Sequence, residues 1–212
     1  MTTIYLLRHG QSIANLNGVF VGQTDVPLTE LGEKQAEKAG EFLNQFDIDV
    51  IFASPLKRAF DTAKPISRFK NVPINPVADL KEIYGGKWEN SLFAEIKNIS
   101  AEDYAVWMND IGNSRCTDGE SVAELYDRIT SAILKIVKKN EGKAICIATH
   151  ATPIRVFECF AMGKDASYAK NVEWAPNASV TAFTYDGKNF NQLFRSENSY
   201  LNDLATILPS NI

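Results

Sequence analysis

His9 and His150, the chain's two histidines, stand with Arg8, Arg58 and Glu82 as the side chains whose types and placement could do chemistry. Arg8-His9-Gly10 closes the apolar run 4–7, Ser54 with Arg58 one helical turn on follows the run 50–53, and Thr149-His150 closes the run 144–148. Short apolar runs of this kind fit buried parallel strands, and ligands of open parallel sheets bind beyond the carboxyl ends of the strands. Three strand ends would therefore bring charged groups to one crevice. Two arginines and two histidines there suit a doubly charged, tetrahedral anion, because a guanidinium makes paired bonds to phosphate oxygens and keeps its charge. An imidazole can attack phosphorus and split one hard displacement into two easier ones. The cations would offset charge on the equatorial oxygens of the transferring group. A carboxylic acid is also needed to protonate the departing alkoxide. Glu82, just after Leu80, is the candidate, with Glu89, Glu95 and Asp118 as competitors.

The elements that must position these groups are legible as periodic stretches. Residues 29–46 read as a helix capped by Thr29, with Ala39, Phe42, Leu43 and Phe46 at helical spacing. Ser54-Pro55 has the form of an N-cap followed by proline in the first turn, which predicts a helix to about Ala63 that Pro65 ends or kinks. Ser121-x-x-Glu124 is a capping-box pattern opening an apolar stripe through Val137. Thr152-Pro153 repeats the cap-plus-proline start. The runs 180–185 and 190–194 flank Asp186-Gly187-Lys188-Asn189, a hairpin at the sheet edge. Alternating strand and helix predicts a three-layer α/β/α sandwich with a mostly parallel sheet and an antiparallel edge hairpin. One domain is expected over 1–212, with a lid excursion at about 85–118, where no period holds and Tyr84, Trp88, Phe93, Tyr104 and Trp107 cluster. Those aromatics either line a pocket for an apolar leaving group or anchor the lid. Tyr200, Leu201, Leu204, Ile207 and Leu208 have helical spacing and are expected to pack on the chain's own body, a homodimer contact being the alternative.

Composition bounds the function. The 212 residues are 45% hydrophobic and 23% charged, with net charge −4 and a pI near 5.3. That balance suits a soluble globular enzyme and disfavours nucleic-acid or anionic-membrane partners. Three dispersed cysteines, Cys116, Cys146 and Cys159, read as reduced thiols. The N-terminal apolar stretch is too short for a signal peptide and no run could span a bilayer, so the expected location is cytoplasmic. A metal hydrolase would need several His, Asp and Glu ligands in one site, and both histidines are already placed. The Gly-x-x-x-x-Gly-Lys-Ser/Thr pattern of nucleotide hydrolases does not occur.

Leu6-Leu7-Arg8-His9-Gly10-Gln11-Ser12 with Asn15 resembles the signature of the histidine phosphatase superfamily, the phosphoglycerate mutase-like fold. Further blocks follow in order: Gly22-Gln23-Thr24-Asp25 with Pro27-Leu28-Thr29; Ser54-Pro55-Leu56 with Arg58-Ala59; Glu82 with Gly86, Trp88 and Glu89; Asp118-Gly119-Glu120-Ser121; and Thr149-His150. The resemblance implies that His9 is a phosphohistidine nucleophile, that Arg8, Arg58 and His150 hold the phosphoryl oxygens, and that Glu82 donates the proton. It places Gln11, Ser12, Asn15, Gly22 and Gln23 in segments lining the substrate pocket, and it implies no metal and no cofactor. Two positions depart from the family pattern. Ala151 stands where glycine usually follows the second histidine, and Asn90 where glycine often follows Trp-Glu. The adjacent arginine pair carried in the lid by cofactor-dependent mutases is reduced here to Arg115 alone. Hydrolysis of a small phosphorylated metabolite is therefore expected, with a phosphoglycerate mutase or a non-catalytic phospho-ligand module as alternatives. A degenerate module should have lost His9, Arg58 or His150, and none is missing.

Overall fold

In the computed structural model, which describes residues 1–206, the chain runs through β1 (Thr2–Arg8), α1 (Ile13–Asn17), β2 (Val19–Phe20), α2 (Glu30–Leu43), β3 (Val50–Ala53), α3 (Lys57–Lys70) and β4 (Ile74–Pro76). It continues through β5 (Ser91–Leu92), α4 (Ala101–Asp110), α5 (Val122–Lys139), β6 (Ala144–Thr149), α6 (Ala151–Ala161), β7 (Val180–Tyr185) and β8 (Phe190–Glu197). The main sheet has the order β4-β3-β6-β1-β7-β8. Its first four strands are parallel, and β7 and β8 add the antiparallel hairpin at one edge.

Apolar residues on both sides of each central strand give the sheet two buried faces. In β1, Ile4 and Leu6 join the core built with α5 and α6, where Ile129, Ile133 and Phe157 pack. Tyr5 and Leu7 join the opposite core with Leu43, Ala63 and Ile66 of α2 and α3. The same alternation in β6 sends Ile145 and Ile147 one way and Cys146 and Ala148 the other. Each fully buried Leu or Ile contributes about 1.5–3 kcal/mol, so two-sided burial fixes the register: a slip by one residue would exchange the faces. This is the expected α/β/α sandwich.

Helix starts follow local polar chemistry, and here some expectations need correcting. Thr29 accepts from the Gly32 amide, and Ser121 forms the expected reciprocal box with Glu124. The helix after β3 begins at Lys57 with Leu56 at the cap, while the Ser54 hydroxyl accepts from the Leu56 amide at 3.3 Å and meets His150 Nε2 at 2.8 Å. That helix also continues past Pro65 to Lys70 instead of ending there. Pro65 packs closely on α2 at Gly40, where a Cβ would lie 2.7 Å from the Pro65 Cβ. The next expected cap, Thr152, lies inside α6, which starts at Ala151 with His150 at the cap. Pro153 falls in the first turn, where helix amides have no intrahelical acceptor, so its missing N–H costs nothing.

The segment 85–118 contains short 3₁₀ turns, a two-residue pairing of β5 with β2, and α4, capped by Ser100. Asn90 has φ 65°, a left-handed conformation that glycine and asparagine adopt readily, so its departure from the family pattern preserves the backbone. Near the C-terminus, Tyr200 stacks on Phe42 at 4.5 Å between centroids and Leu201 is buried. Ile207 and Leu208 lie outside the described residues.

Candidate active site

Strand β6 lies between β1 and β3, which brings the expected strand ends side by side. The His9 amide donates to the Thr149 carbonyl at 3.0 Å, and the Ser54 amide to the Ala148 carbonyl at 2.9 Å. After His9 the chain turns tightly past the start of α2. The Gly10 amide donates to Thr62 Oγ1 at 3.0 Å, and a Cβ at Gly10 would lie 2.5 Å from the Gly32 carbonyl oxygen, so only glycine passes there.

Arg8, His9, Arg58 and Glu82 line one pocket. His9 Nδ1 lies 2.7 Å from the Gly10 carbonyl oxygen. A carbonyl can only accept, so Nδ1 carries the proton and the Nε2 lone pair is left for chemistry. Burial, reinforced by the Arg58 and Arg8 charges, holds the His9 pKa well below its ordinary 6.5, so the imidazole is neutral at physiological pH. Arg58, nearly fully buried, donates from Nη1 to the Thr24 carbonyl at 3.0 Å and from Nη2 to the Gly22 carbonyl at 2.8 Å. Gly22 is confined in turn, because a Cβ there would lie 2.3 Å from the Ile83 carbonyl oxygen. Arg8 donates to the Ala175 carbonyl, and burial lowers its pKa to about 10, which still leaves it charged.

Glu82, half-buried, accepts from the Ile83 amide at 2.8 Å through Oε1 and faces the Thr152 amide through Oε2 at 3.4 Å. Desolvation raises its pKa above 4.5, opposed by the Ile83 hydrogen bond and by Arg58. Its loop is fixed by Arg128, which donates to the carbonyls of Asp79, Lys81 and Glu82 while paired with Glu120 at 2.7 Å. Thr149 Oγ1 donates to the Leu80 carbonyl at 2.7 Å from the other side.

The remaining expected residues divide. Ser12, Asn15 and Gly22 line the pocket. Gln11 and Gln23 do not: the Gln11 side chain accepts from Thr29 Oγ1, and Gln23 Nε2 donates to the Glu82 carbonyl. His150 is fully buried behind the wall, its ring 5.1 Å from that of His9 and Nε2 at 2.8 Å from Ser54 Oγ. His150 Nδ1 and Arg8 Nε, both buried, have no hydrogen-bond partner among the described residues. Of the competing carboxylates, Glu89 binds the amides of Gln23, Thr24 and Gly85, a structural duty, and Asp118 pairs with Lys87. Arg115 pairs with Glu124 at 2.7 Å and is no part of the pocket. Of the aromatics, Phe93 and Trp107 line the pocket, Trp88 packs behind Phe20, and Tyr84 is exposed.

Several contributors carry no sequence signal. Trp174 lines the pocket, Ala175 receives Arg8, and Asn177 Nδ2 donates to the His9 carbonyl at 3.2 Å, all from a loop distant in the chain. Ser54, marked in the sequence by its place at a strand end, is the partner of His150 Nε2. Among the described residues, no group of three or more His, Cys, Asp or Glu side chains is placed to hold a metal ion.

Residues 4–197 match the histidine phosphatase superfamily, branch 1, and the chain belongs to that family. It is 31% identical over 79% of both chains to phosphoserine phosphatase 1 of Hydrogenobacter thermophilus. To the adenosylcobalamin/α-ribazole phosphatase of Escherichia coli it is 28% identical, over 69% of this chain and 72% of that one. The fold matches Bacillus stearothermophilus YhfR with a TM-score of 0.90 at 26% identity, covering 95% of this chain and all of the other. Family and relatives together make the chain a phosphomonoester hydrolase. No helix among the described residues is long and apolar enough to cross a membrane.

Proposed function

We propose that the enzyme transfers the phosphoryl group of a small phosphorylated metabolite to His9 Nε2 and then to water. The observation that carries this reading is the Nδ1–Gly10 hydrogen bond, which aims a neutral imidazole lone pair into a pocket shared with Arg8, Arg58 and Glu82. In the first step Nε2 attacks phosphorus, the bond to the leaving oxygen breaks, and the Glu82 carboxylic acid gives that oxygen its proton. In the second, the Glu82 carboxylate takes a proton from water, the water oxygen attacks phosphorus, and the P–N bond breaks. His9 and protonated Glu82 are thereby restored. Arg8 and Arg58 bind the non-bridging oxygens, and His150, set behind the wall against the His9 ring, backs the nucleophile.

The relatives named as phosphoserine and α-ribazole phosphatases support a small-metabolite substrate. The net charge of −4 and three buried free thiols suit a cytoplasmic enzyme with no nucleic-acid partner. Release of inorganic phosphate from a panel of phosphomonoesters, measured with excess chelator present, tests the reading. Wild type should turn over and His9→Ala should not. Equal turnover by His9→Ala would end it.

A further inference from the structure

Beyond Arg8, His9, Arg58, Glu82 and the neutral polar Ser12, Asn15 and Thr152, the pocket wall is apolar and largely aromatic. Phe20 meets Trp107 edge to face at 5.8 Å, and Trp107 stacks on Trp174 at 6.4 Å with 27° between the planes. Val19 and Phe93 extend this surface. The wall is rigid. The Arg155 guanidinium lies 4.3 Å from the Trp174 ring centroid without itself lining the pocket, and it is tied to the Ala169 carbonyl at 2.7 Å. Trp88 backs Phe20 from the core at 5.6 Å.

The charges in the pocket are all committed. Among the described residues, the only guanidinium or ammonium groups lining it are Arg8 and Arg58. Both are anchored to backbone carbonyls beside His9, and the phosphoryl group occupies what donors they have left. A substrate such as an amino-acid or hydroxy-acid phosphate brings a second anion, its carboxylate. That carboxylate would be set against aromatic carbon with no cation to meet it, and beside Glu82, which is anionic in the second step. Burying a charge without a partner is strongly unfavourable, whereas a flat apolar group gains from the same wall.

We infer that the alcohol half of the substrate is an uncharged, ring-bearing or otherwise apolar group without a carboxylate. The inference deepens the phosphatase reading and rests on it. The choice is made by the wall of Phe20, Phe93, Trp107 and Trp174, and Glu82 protonates the departing oxygen.

The test compares kcat/KM for 2-phenylethyl phosphate, ethyl phosphate and phosphoserine; serine's hydroxyl is the most acidic of the three leaving alcohols, so leaving-group chemistry favours phosphoserine and a lead for the phenylethyl ester must come from binding. p-Nitrophenyl phosphate serves as an activated control. The phenylethyl ester should exceed the other two by about 10- to 100-fold, the range one apolar pocket contact commands. Trp174→Ala and, separately, Phe93→Ala should narrow the phenylethyl-to-ethyl ratio chiefly through KM; two variants guard against one failing to fold. Phosphoserine turned over as well as or better than phenylethyl phosphate overturns the substrate class and leaves the hydrolase standing. A ratio unchanged in both folded variants overturns the role of the wall. No phosphate released from any ester, the activated control included, overturns the phosphatase reading itself.

Discussion

The rings of His9 and His150 meet edge to face with their centroids 5.1 Å apart, at the ends of two adjacent parallel strands. His9 is oriented by its own loop, through Gly10, whereas His150 is oriented by Ser54 at the end of a third strand. Ser54→Ala removes that orienting bond and leaves neither nitrogen of a fully buried imidazole with a hydrogen-bond partner among the described residues. The expected outcome is a fall in kcat of about 10- to 100-fold, the scale on which small misplacements act. Thermal unfolding should show the fold intact, and a kcat within twofold of wild type would remove Ser54 from the site.

Glu82 titrates above its ordinary value because the pocket desolvates it. As a general acid it must be protonated in the first step, so kcat/KM for alkyl esters should fall as pH rises through that elevated pKa. Glu82→Gln should lower turnover of alkyl esters by about 10²–10⁴. The loss of the first step should be much smaller for p-nitrophenyl phosphate, whose leaving group needs no proton, and pre-steady-state rates would separate it from the second step. Equal first-step losses on both substrates would place the acid elsewhere.

Buried neutral histidines also set an acid limit on stability. His9 and His150 both have folded pKa values well below the 6.5 of the unfolded chain, first through desolvation and then through the neighbouring Arg58. Below pH 6.5 the unfolded chain takes up protons that the native state refuses, so stability falls as pH falls. Between pH 6.5 and 5.5 each histidine should cost about 1 kcal/mol. Glu82, with its raised folded pKa, has the opposite sign, its contribution being lost as pH rises. Denaturant midpoints of wild type and His150→Gln across pH 5.5–7.5 check this, and the variant should show the shallower slope.

Asn177 joins three parts of the molecule. Its Nδ2 donates to the His9 carbonyl at 3.2 Å and to Asn15 Oδ1 at 3.3 Å, and its Oδ1 accepts from Thr206 Oγ1 at 3.0 Å. Asn177→Ala leaves the buried His9 carbonyl with the Ala178 amide as its remaining donor, at a cost of about 0.5–1.5 kcal/mol for the lost bond. A drop in kcat larger than any change in KM is expected, since the nucleophile's loop loses a tether while the cations that bind phosphate remain. A change confined to KM would contradict this.

The parts of the site that were legible in the sequence are those encoded locally. Arg8, His9 and His150 end apolar runs, and Thr29 and Ser121 precede helices whose first amides their own hydroxyls satisfy. Some local signals did not decide the structure. Ser54 has the form of a helix cap but its hydroxyl is shared between the Leu56 amide and His150, and Pro65, expected to end or kink its helix, lies within a helix that runs on to Lys70. Trp174, Ala175 and Asn177 carry no local signal because their roles are long-range contacts, Ala175 and Asn177 with the first strand's end and Trp174 with Trp107 and Arg155, which neither periodicity nor turn chemistry marks. The aromatics of 84–107 were visible as a set. Which of them would face the pocket was not, since that depends on how the segment folds back on β2.

Everything above turns on a covalent bond between His9 and phosphorus. Rapid quench during turnover of a ³²P-labelled phosphomonoester, followed by peptide mapping, reads it directly. The expected result is a label that is acid-labile and alkali-stable, carried by the peptide containing His9, formed faster than phosphate is released and lacking in His9→Ala. Steady phosphate release with no such label at any quench time, or a label on another peptide, would contradict it.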